Sequence, residues 1–387
     1  MSTPISFTLV DSDSALRDCC QTLLSSAAIA VDTEFMRTRT YFAKLGLVQL
    51  ANNEHCWLVD PLAIADLEPL RELLQAPSVV KVLHSCSEDL QVLQSSLNVL
   101  PTPLFDTQIA AGFVGEPFAM GYARIVKSLL DVELNQQETR SDWLQRPLSE
   151  AQLQYAAEDV HYLIQVYDIL SERIARADRR AWVEEDMTRL LATAAAPDDP
   201  QQAYLRIKAA WQLDHAGLAV LQALTAWRET RARTDDLPRS WVIADRELME
   251  LAETRPASLS ALAAVGELPP KLIRRHGELL VELIQATLTQ PDRWPEPVPE
   301  RLPRHASPLL KALRSRVDAV AEELGVAAEL LGRKKDLEPL VRAVVQGHEP
   351  QLTEPLASGW RREVIGEPLL TVVQSAASAD AERENRP

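Results

Sequence analysis

The stretch IAVDTEFMR, residues 29–37, places two acidic side chains at the end of an apolar run. The run predicts a buried strand, in which the side chains at positions i and i+2 share one face. Asp32 and Glu34 are then neighbours, and their like charges repel unless divalent cations, which prefer oxygen ligands, neutralise them. Taken alone, the pair also fits a strand end in solvent.

Further strands and helices surround this pair. The strand-like runs are Ile29–Asp32, Leu45–Ala51, Cys56–Asp60 and Val79–Leu83, and the helical stretches are Ser14–Ser25, Leu67–Gln75 and Glu88–Leu97. The first three strands are joined by connections too short for crossover helices, so they should pair as an antiparallel meander. The pattern predicts an α/β domain that differs from a doubly wound nucleotide-binding fold.

A second acidic element lies in HSCSEDLQVL, residues 84–93, where Glu88 and Asp89 open a helix. Carboxylates are stabilised near a helix N-terminus, so helix capping alone would explain them. His84, at the end of the preceding strand, is a candidate contact to a substrate.

A third element is SEAQLQYAAEDVHYL, residues 149–163. Ser149, with Gln152 three residues later, predicts a capping box at the start of a helix. Tyr155 and Asp159 are four residues apart and therefore share one face of that helix. Alone, such a pair is more often structural than catalytic.

The combination of D-x-E on a strand, an aspartate on a later helix and Y-x-x-x-D on a third element resembles the DEDD exonuclease superfamily. The resemblance implies a ribonuclease H-like fold in which four carboxylates hold two divalent metal ions, Mg²⁺ or Mn²⁺. It carries these roles onto Asp32, Glu34, Asp89 and Asp159, and it selects Asp89 over Glu88.

The third motif separates two branches of that superfamily, and this chain resembles the tyrosine branch. Position 154 is Gln rather than the His of the other branch, and Tyr155 precedes Asp159 by four residues. Over residues 28–170, the segments VDTEFMR, KLGLVQLA, HSCSEDL, FDTQIAAGF, SDWLQRPLS and YAAEDVHYL are similar to the ribonuclease D family. His161 is then a surface or packing residue rather than a general base.

The resemblance also implies how the side chains share the work. Asp32 bridges both ions, Glu34 and Asp159 complete the first site, and Asp89 holds the second ion, directly or through water. Tyr155, with an unperturbed pKa of about 10, is a poor base at neutral pH and is expected to orient the attacking water.

Recognition of a free 3′ end requires a pocket that stacks the terminal base and contacts the ribose hydroxyls. Phe35, Met36, Gln49 and His84 lie near the motifs and are the candidate substrate contacts. For Phe35, packing in the core is an equally good explanation.

Two helical segments follow that resemble the HRDC domain, a small bundle named for helicases and ribonuclease D. Basic residues at loops and helix ends of the first are candidate phosphate contacts, namely Arg228, Arg231, Arg233, Arg239, Lys271, Arg274 and Arg275. A solvated helical surface explains the same residues. The second segment resembles a divergent HRDC domain.

Two proline-rich stretches, residues 194–202 and 291–308, predict linkers. They divide the chain into an exonuclease domain over residues 1–195, a first HRDC domain over 205–292 and a divergent HRDC-like domain over 305–374, followed by a disordered polar tail over 375–387.

Composition limits the possible functions. The net charge of −16 argues against a generally basic nucleic-acid-binding surface, but residues 1–195 alone hold 27 acidic against 15 basic residues. Carboxylates that bind divalent cations invert the local field, so this acidic half can still bind a polyanion. No segment is apolar enough for a membrane span, and without a secretory signal the chain is expected in the cytoplasm, with its four cysteines buried.

These observations together predict a metal-dependent 3′-5′ exoribonuclease that releases 5′-mononucleotides. The expected partner is RNA with a free 3′ end, in particular tRNA precursors and other structured RNAs, and the expected state is a monomer without membrane association. The alternatives are a 3′-5′ exonuclease acting on single-stranded DNA and a non-catalytic RNA-binding protein.

Overall fold

The structure is a computed structural model that describes residues 5–134, 141–266 and 268–384. It divides into two compact units. The first unit comprises Met1–Met36, Lys44–Ala195 and Leu302–Pro387, and the second comprises Arg37–Ala43 and Ala196–Arg301. The boundaries after residues 195 and 301 fall inside the two proline-rich stretches. Because residues 302–387 join the unit that holds the exonuclease segment, the division into three domains stays a prediction.

A mixed sheet of six strands forms the centre of the first unit. The strands are β1 (Phe7–Val10), β2 (Ala28–Met36), β3 (Lys44–Ala51), β4 (Cys56–Val59), β5 (Val80–Leu83) and β6 (Leu104–Asp106), in the order β1-β4-β3-β2-β5-β6. Strands β2, β3 and β4 pair in antiparallel fashion, which confirms the predicted meander. The remaining ladders, β1 with β4, β2 with β5 and β5 with β6, are parallel.

The pairing of β2 exposes the strand end that carries the acidic pair. Against β5, the ladder runs only as far as Ala30, which pairs with Val82. Against β3, the ladder continues, with Asp32 opposite Gln49 and an irregularity after Glu34. The acidic end of β2 therefore extends beyond its parallel neighbour and is free to face a helix on that side.

Eight helices complete the exonuclease part of the described chain. They are α1 (Asp13–Leu23), α2 (Glu68–Gln75), α3 (Ser87–Leu97), α4 (Thr107–Gly112), α5 (Tyr122–Leu130), α6 (Glu150–His161), α7 (Leu163–Arg176) and α8 (Arg180–Ala195). The predicted capping box of Ser149 and Gln152 is present at the start of α6. The small side chains of Ala156 and Ala157 on α6 share a buried cluster with Ala30 of β2, which brings helix and sheet close together.

The second unit is helical over its longer segment. It contains α9 (His215–Thr234), α10 (Arg239–Val242), α11 (Asp245–Thr254), α12 (Leu259–Ala263) and α13 (Pro270–Leu288), with 3₁₀ turns at Pro200–Arg206, Ala210–Gln212 and Pro291–Arg293. Apolar residues of α9, α11 and α13 form a core of their own, to which Leu224, Leu251 and Ile284 contribute fully buried side chains.

The C-terminal segment adds further helices to the first unit. After a 3₁₀ turn at Arg304–Ala306 come α14 (Ser307–Leu324), α15 (Ala328–Leu331), α16 (Lys334–Val345), α17 (Gly359–Arg361), a π-helical turn (Arg362–Gly366) and α18 (Glu367–Glu384). Helix α18 thus enters the segment predicted to be a disordered tail, and residues 385–387 lie outside the described residues. Within the described ranges, no helix combines the length and the apolar character needed to cross a bilayer.

A buried ion pair joins the C-terminal segment to the exonuclease part. The Arg361 guanidinium donates to both carboxylate oxygens of Asp186 on α8, at 2.6 and 2.7 Å. Both side chains are only 8% exposed. The Trp360 indole also donates to Asp186, at 3.2 Å, and stacks on Trp182 with ring centroids 4.7 Å apart. This satisfied, buried contact explains why the last segment belongs to the first unit.

Candidate active site

Three carboxylates converge where the end of β2 faces α6. Asp32, Glu34 and Asp159 each offer an oxygen, and these three oxygens lie within 4.8 Å of one another. Asp32 and Glu34 come from alternate positions of one strand, and Asp159 comes from the third turn of the helix that packs on it. The structure therefore brings together residues that are more than 120 positions apart in the sequence.

The electrostatics of this trio are unfavourable when all three groups are ionised. Burial raises the pKa of Asp32 well above its usual range, and the nearby charges of Asp89, Asp159 and Glu34 raise it further. Burial, followed by the Asp159 and Asp89 charges, raises the pKa of Glu34 to about 9. Burial likewise raises the pKa of Asp159 to about 7. Such shifts arise where carboxylates are crowded without a basic partner.

Asp89 lies beside the trio rather than within it. Its side chain is buried on α3 and accepts a hydrogen bond from the Thr33 hydroxyl of β2. Burial raises the pKa of Asp89 to about 6, although the Thr33 hydrogen bond acts in the opposite direction. The neighbouring Glu88 is exposed. Of these two adjacent acidic residues, only Asp89 therefore points towards the acidic end of β2.

Tyr155 lies one turn before Asp159 on α6. Burial, followed by the charges of Asp159 and Glu34, raises the pKa of the Tyr155 phenol above its ordinary value. Hydrogen bonding from the phenol acts to lower the pKa of the Asp159 carboxyl. The phenol therefore stays protonated at neutral pH and acts as a hydrogen-bond donor.

Asp32, Glu34, Asp159 and Tyr155 line a cavity of about 220 Å³. Its other lining residues are His84, Tyr122, Leu134, Glu158 and Leu163, of which only His84 was among the predicted site residues. Tyr122 opens α5, and its hydroxyl donates to the carbonyl oxygen of Glu158 at 3.1 Å. No motif in the sequence singled out Tyr122, because its role depends on how α5 packs against α6 and α7.

His84 has partners on both ring nitrogens. Nδ1 lies 2.9 Å from the Thr107 hydroxyl and Nε2 lies 3.0 Å from the Met120 carbonyl oxygen. Burial lowers the pKa of His84, so its ring is neutral at neutral pH. Because a carbonyl oxygen only accepts, Nε2 carries the proton. His84 therefore offers a fixed ring to the cavity rather than a free base.

Gln49 is fully buried on β3, and its amide nitrogen lies 3.5 Å from the Asp32 carboxylate. A side chain without exposed surface cannot contact a substrate, so the prediction of Gln49 as a substrate contact is wrong. Gln49 lies opposite Asp32 in the ladder of β2 and β3, where its amide can orient the Asp32 carboxylate. Phe35 and Met36 are partly exposed at the end of β2 and do not line the cavity in the described residues, so their role as substrate contacts stays a prediction.

Asp106, which the sequence reasoning missed, orders the turn that precedes α3. Its carboxylate accepts hydrogen bonds from the backbone N–H groups of Cys86, Gln108 and Ile109, at 2.9, 2.8 and 3.1 Å. It thereby caps α4 and fixes the turn ahead of the helix that carries Asp89. The available signal was an aspartate placed directly before a helical stretch in FDTQIAAGF.

Arg146 anchors the segment that backs Tyr155. Its guanidinium donates to both oxygens of Asp60, at 2.6 and 2.7 Å, and to the Gly46 carbonyl oxygen, at 2.6 Å. Burial would raise the pKa of Asp60, but the hydrogen bonds from Arg146 outweigh it and the pKa is lowered. A Cβ at Gly46 would lie 2.6 Å from the Trp143 carbonyl oxygen. Glycine thus permits the approach that places Trp143 beside Tyr155, with ring centroids 6.1 Å apart.

The predicted phosphate contacts of the first HRDC-like segment fall into two groups. Arg228 is only 5% exposed and pairs with Asp245 at 2.5 Å, so burial removes it from the candidates and that prediction is wrong. Arg231 and Arg239 pair with carboxylates but keep 36% and 43% of their side-chain surface. The three predicted contacts on α13, Lys271, Arg274 and Arg275, are exposed.

Three family models match successive parts of the chain. Residues 7–175 match the family model described as 3′-5′ exonuclease. Residues 217–284 match the HRDC domain, and residues 307–369 match the model described as ribonuclease D, C-terminal HRDC domain.

Individual relatives match over nearly the whole chain. Ribonuclease D of Pseudomonas paraeruginosa is 45% identical over 365 residues, covering 94% of this chain and 96% of that protein. Ribonuclease D of Escherichia coli is 37% identical over 383 residues, covering 96% and 99%. The crystal structure of Escherichia coli RNase D, described as an exoribonuclease involved in structured RNA processing, superposes with a TM-score of 0.86 at 36% identity and covers 96% and 99% of the two chains.

Proposed function

The chain belongs to the ribonuclease D family and is a 3′-5′ exoribonuclease, and from this premise we propose that Asp32, Glu34, Asp89 and Asp159 hold two divalent cations, Mg²⁺ or Mn²⁺. The observation that carries the proposal is the convergence of three carboxylates whose oxygens lie within 4.8 Å of one another. Hard divalent cations prefer such all-oxygen ligand sets.

The residues of the cavity fit this cation site. Burial, together with neighbouring carboxylates, raises the pKa values of Glu34 and Asp159, as expected for acidic side chains without a basic partner. Among the described residues that line the cavity, none is lysine or arginine, so the chain itself supplies no neutralising charge there. When bound, two divalent cations activate the attacking water and stabilise the charge that develops on the phosphoryl group.

The remaining polar groups position the reactants. The protonated phenol of Tyr155 donates a hydrogen bond, which suits it to orient the attacking water and not to remove its proton. The neutral ring of His84 forms a fixed wall of the cavity, suited to packing against the 3′-terminal nucleotide. The Gln49 amide, on the neighbouring strand β3, is placed to orient the Asp32 carboxylate.

The substrate in this proposal is RNA with a free 3′ end, in particular tRNA precursors and other structured RNAs, shortened with release of 5′-mononucleotides. The Escherichia coli relative is described as acting on structured RNA, and the family match covers the HRDC segments as well as the exonuclease segment. Family membership establishes an enzyme, which sets aside the alternative of a non-catalytic RNA-binding protein. The monomeric state and the cytoplasmic location stay predictions.

The test uses a tRNA precursor with a 3′ extension and a label at its 5′ end, together with a DNA strand of matched sequence. With Mg²⁺, the RNA should shorten one nucleotide at a time and release 5′-mononucleotides, and EDTA should stop the reaction. Asp159→Asn should abolish trimming, whereas Glu150→Gln, an exposed position on the same helix, should not change it. Trimming in EDTA, or by Asp159→Asn, would overturn the cation site. Faster cleavage of the DNA would instead assign the chain to DNA.

A further inference from the structure

Three parallel strands end at the edge of the sheet where the carboxylates lie. Strands β2, β5 and β6 form successive parallel ladders, so their carboxyl ends point in the same direction. Beyond its ladder with β5, β2 carries Asp32, and β5 leads through residues 84–86 into α3. Asp106 is the last residue of β6 and lies opposite Leu83, the last residue of β5. Asp106 is therefore adjacent to the turn that leads into the helix of Asp89.

Asp106 is an acidic side chain with only 2% of its surface exposed. Its Oδ1 atom accepts hydrogen bonds from the backbone N–H groups of Gln108 and Ile109 at 2.8 and 3.1 Å, and a longer one from Ser85 at 3.3 Å. Its Oδ2 atom accepts from the backbone N–H of Cys86 at 2.9 Å. The two oxygens thus serve different helices, because Gln108 and Ile109 lie in the first turn of α4 whereas Cys86 directly precedes α3.

The start of α3 depends on this contact. Cys86 precedes the helix, and its own side chain caps no N–H group of the first turn. Ser85 before it has a φ of 57°, in the left-handed region that residues other than glycine adopt at a cost. Such a conformation persists where the surrounding contacts enforce it, and Asp106 supplies two of those contacts.

Asp89 lies in the first turn of α3, three residues after Cys86, so the direction of that turn determines where its carboxyl group lies. The Thr33 hydroxyl of β2 donates to Asp89 Oδ1 and orients the side chain from the sheet. Asp106 acts on the backbone instead, and it is not among the described residues that line the cavity of about 220 Å³. Its influence on a bound cation would therefore pass through Asp89.

We propose that Asp106 is a positioning residue for the cation that Asp89 holds, because it fixes the turn that directs Asp89 towards the acidic end of β2. The inference rests on the proposed cation site of Asp32, Glu34, Asp89 and Asp159. Residues that orient metal ligands without touching the metal change metal affinity or activity by about 10- to 100-fold when they are substituted. Loss of the Asp106 contact should therefore weaken the binding of one cation and leave that of the other nearly unchanged.

Asp106→Asn is the variant that separates the two oxygens. An amide has one oxygen that accepts and one NH₂ group that donates, and its oxygen can stay with the two N–H groups in the first turn of α4. The NH₂ group then faces the N–H of Cys86, where two donors meet and no hydrogen bond forms. The cap of α4 is kept, whereas the contact to the turn before α3 is lost.

Binding of Mn²⁺ to the full chain, followed by the electron paramagnetic resonance signal of the free ion, measures the cations without RNA or cleavage. The wild type should bind two ions, and Asp106→Asn should bind one of them about 10- to 100-fold more weakly. Asp186→Asn is the matched control, because Asp186 is also a buried aspartate of the first unit but pairs with Arg361 at α8. This control should bind both ions as the wild type does.

Ser85 tests the same turn while the Asp106 carboxylate is intact. Ser85→Val places a β-branched side chain at a φ of 57° and should weaken the same ion, whereas Ser85→Gly accepts this φ and should weaken it less. Ser85 is exposed, so neither variant alters the core. Should Asp106→Asn not fold, equal Mn²⁺ binding by the two Ser85 variants would overturn the proposal.

The remaining outcomes distinguish this inference from the proposed function. Two Mn²⁺ ions bound at wild-type strength by Asp106→Asn, shown to be folded by circular dichroism, would overturn the role of Asp106 and leave the cation site intact. An equal loss of one ion in Asp186→Asn would also overturn that role, because general loosening of the unit would explain both variants. Failure of the wild type to bind any Mn²⁺ would instead contradict the cation site, and this inference with it.

Discussion

Two places in the first unit hold buried or partly buried carboxylates, and they differ in whether the chain itself neutralises the negative charge. At α8, Asp186 receives two hydrogen bonds from Arg361 and one from Trp360, so its charge is neutralised within the chain. At the end of β2, Asp32 and Glu34 face Asp159, and the described residues that line this cavity include no lysine or arginine. The first arrangement stabilises the fold. The second leaves an excess of negative charge that bound cations can neutralise.

The comparison predicts the largest effect on activity at the unneutralised site. Asp32→Ala removes a carboxylate that faces both Glu34 and Asp159, so RNA hydrolysis should fall by about a thousandfold or more. Melting temperature in EDTA should stay the same or rise, because one repulsive charge is gone. Single-turnover cleavage and calorimetry measure the two quantities. A large loss of stability with little loss of activity would make Asp32 a structural residue.

The opposite result is expected at Asp186. Asp186→Ala leaves the Arg361 guanidinium buried without its partner, which should cost about 3–5 kcal/mol in the free energy of unfolding. Urea denaturation measures this loss, and the double variant Asp186→Leu with Arg361→Met should recover most of it. Cleavage by the fraction that remains folded should be close to that of the wild type. If the single variant were as stable as the wild type, the buried pair would not hold the C-terminal segment.

A smaller effect on activity is expected at Tyr155. Tyr155→Phe keeps the ring beside Trp143 but removes the hydroxyl, and the rate of cleavage should fall about 10- to 100-fold. Because the phenol stays protonated, the acid side of the pH–rate profile should keep its shape. The rate measured from pH 6 to 9 checks this expectation. Loss of a titration step in the variant would show that Tyr155 acts as a base after all.

The smallest effect concerns pH and the metal-free fold. In the folded chain, the pKa values of Glu34 and Asp159 are raised to about 9 and about 7. In the unfolded chain, both carboxyl groups lose their protons at about pH 4. Between these values the folded state binds more protons, so stability in EDTA should fall as pH rises from 5 to 8.

Calorimetry of the wild type and of Asp159→Asn isolates the contribution of the trio. The decline in melting temperature between pH 5 and 8 should be shallower in the variant, and Mg²⁺ at pH 8 should raise the melting temperature of the wild type only. A melting temperature in EDTA that declines as steeply in the variant as in the wild type would contradict the crowding of the carboxylates.

The central part of the fold could be predicted from the sequence, because β2 to β4 carry apolar runs joined by short connections. Strands β1 and β6 were not predicted. They are only four and three residues long, and each is defined by the parallel neighbour it pairs with rather than by its own pattern. The docking of the C-terminal segment was also missed, since the partnership of Asp186 with Arg361 joins residues 175 positions apart.

Strand alternation placed Asp32 beside Glu34, and helix periodicity placed Tyr155 beside Asp159, whereas Asp89 was selected over Glu88 only through the family resemblance. Gln49 was misplaced because its role follows from strand register, which puts it opposite Asp32 within the sheet. Arg228 was misplaced because α9 is covered on several sides, so that a polar residue in its sequence need not face solvent. Tyr122 was not found because α5 reaches the cavity only through tertiary packing.

In the proposed function, the carboxylates at the end of β2 hold two divalent cations, whereas Asp186 holds none. Crystals of the protein soaked with Mn²⁺ and measured near the manganese absorption edge test this claim without any assay of activity. We expect two anomalous peaks beside Asp32, Glu34 and Asp159, one of them close to Asp89, and neither in Asp32→Ala. A soaked wild-type crystal with no peak at this site, or with peaks that persist in Asp32→Ala, would contradict the claim.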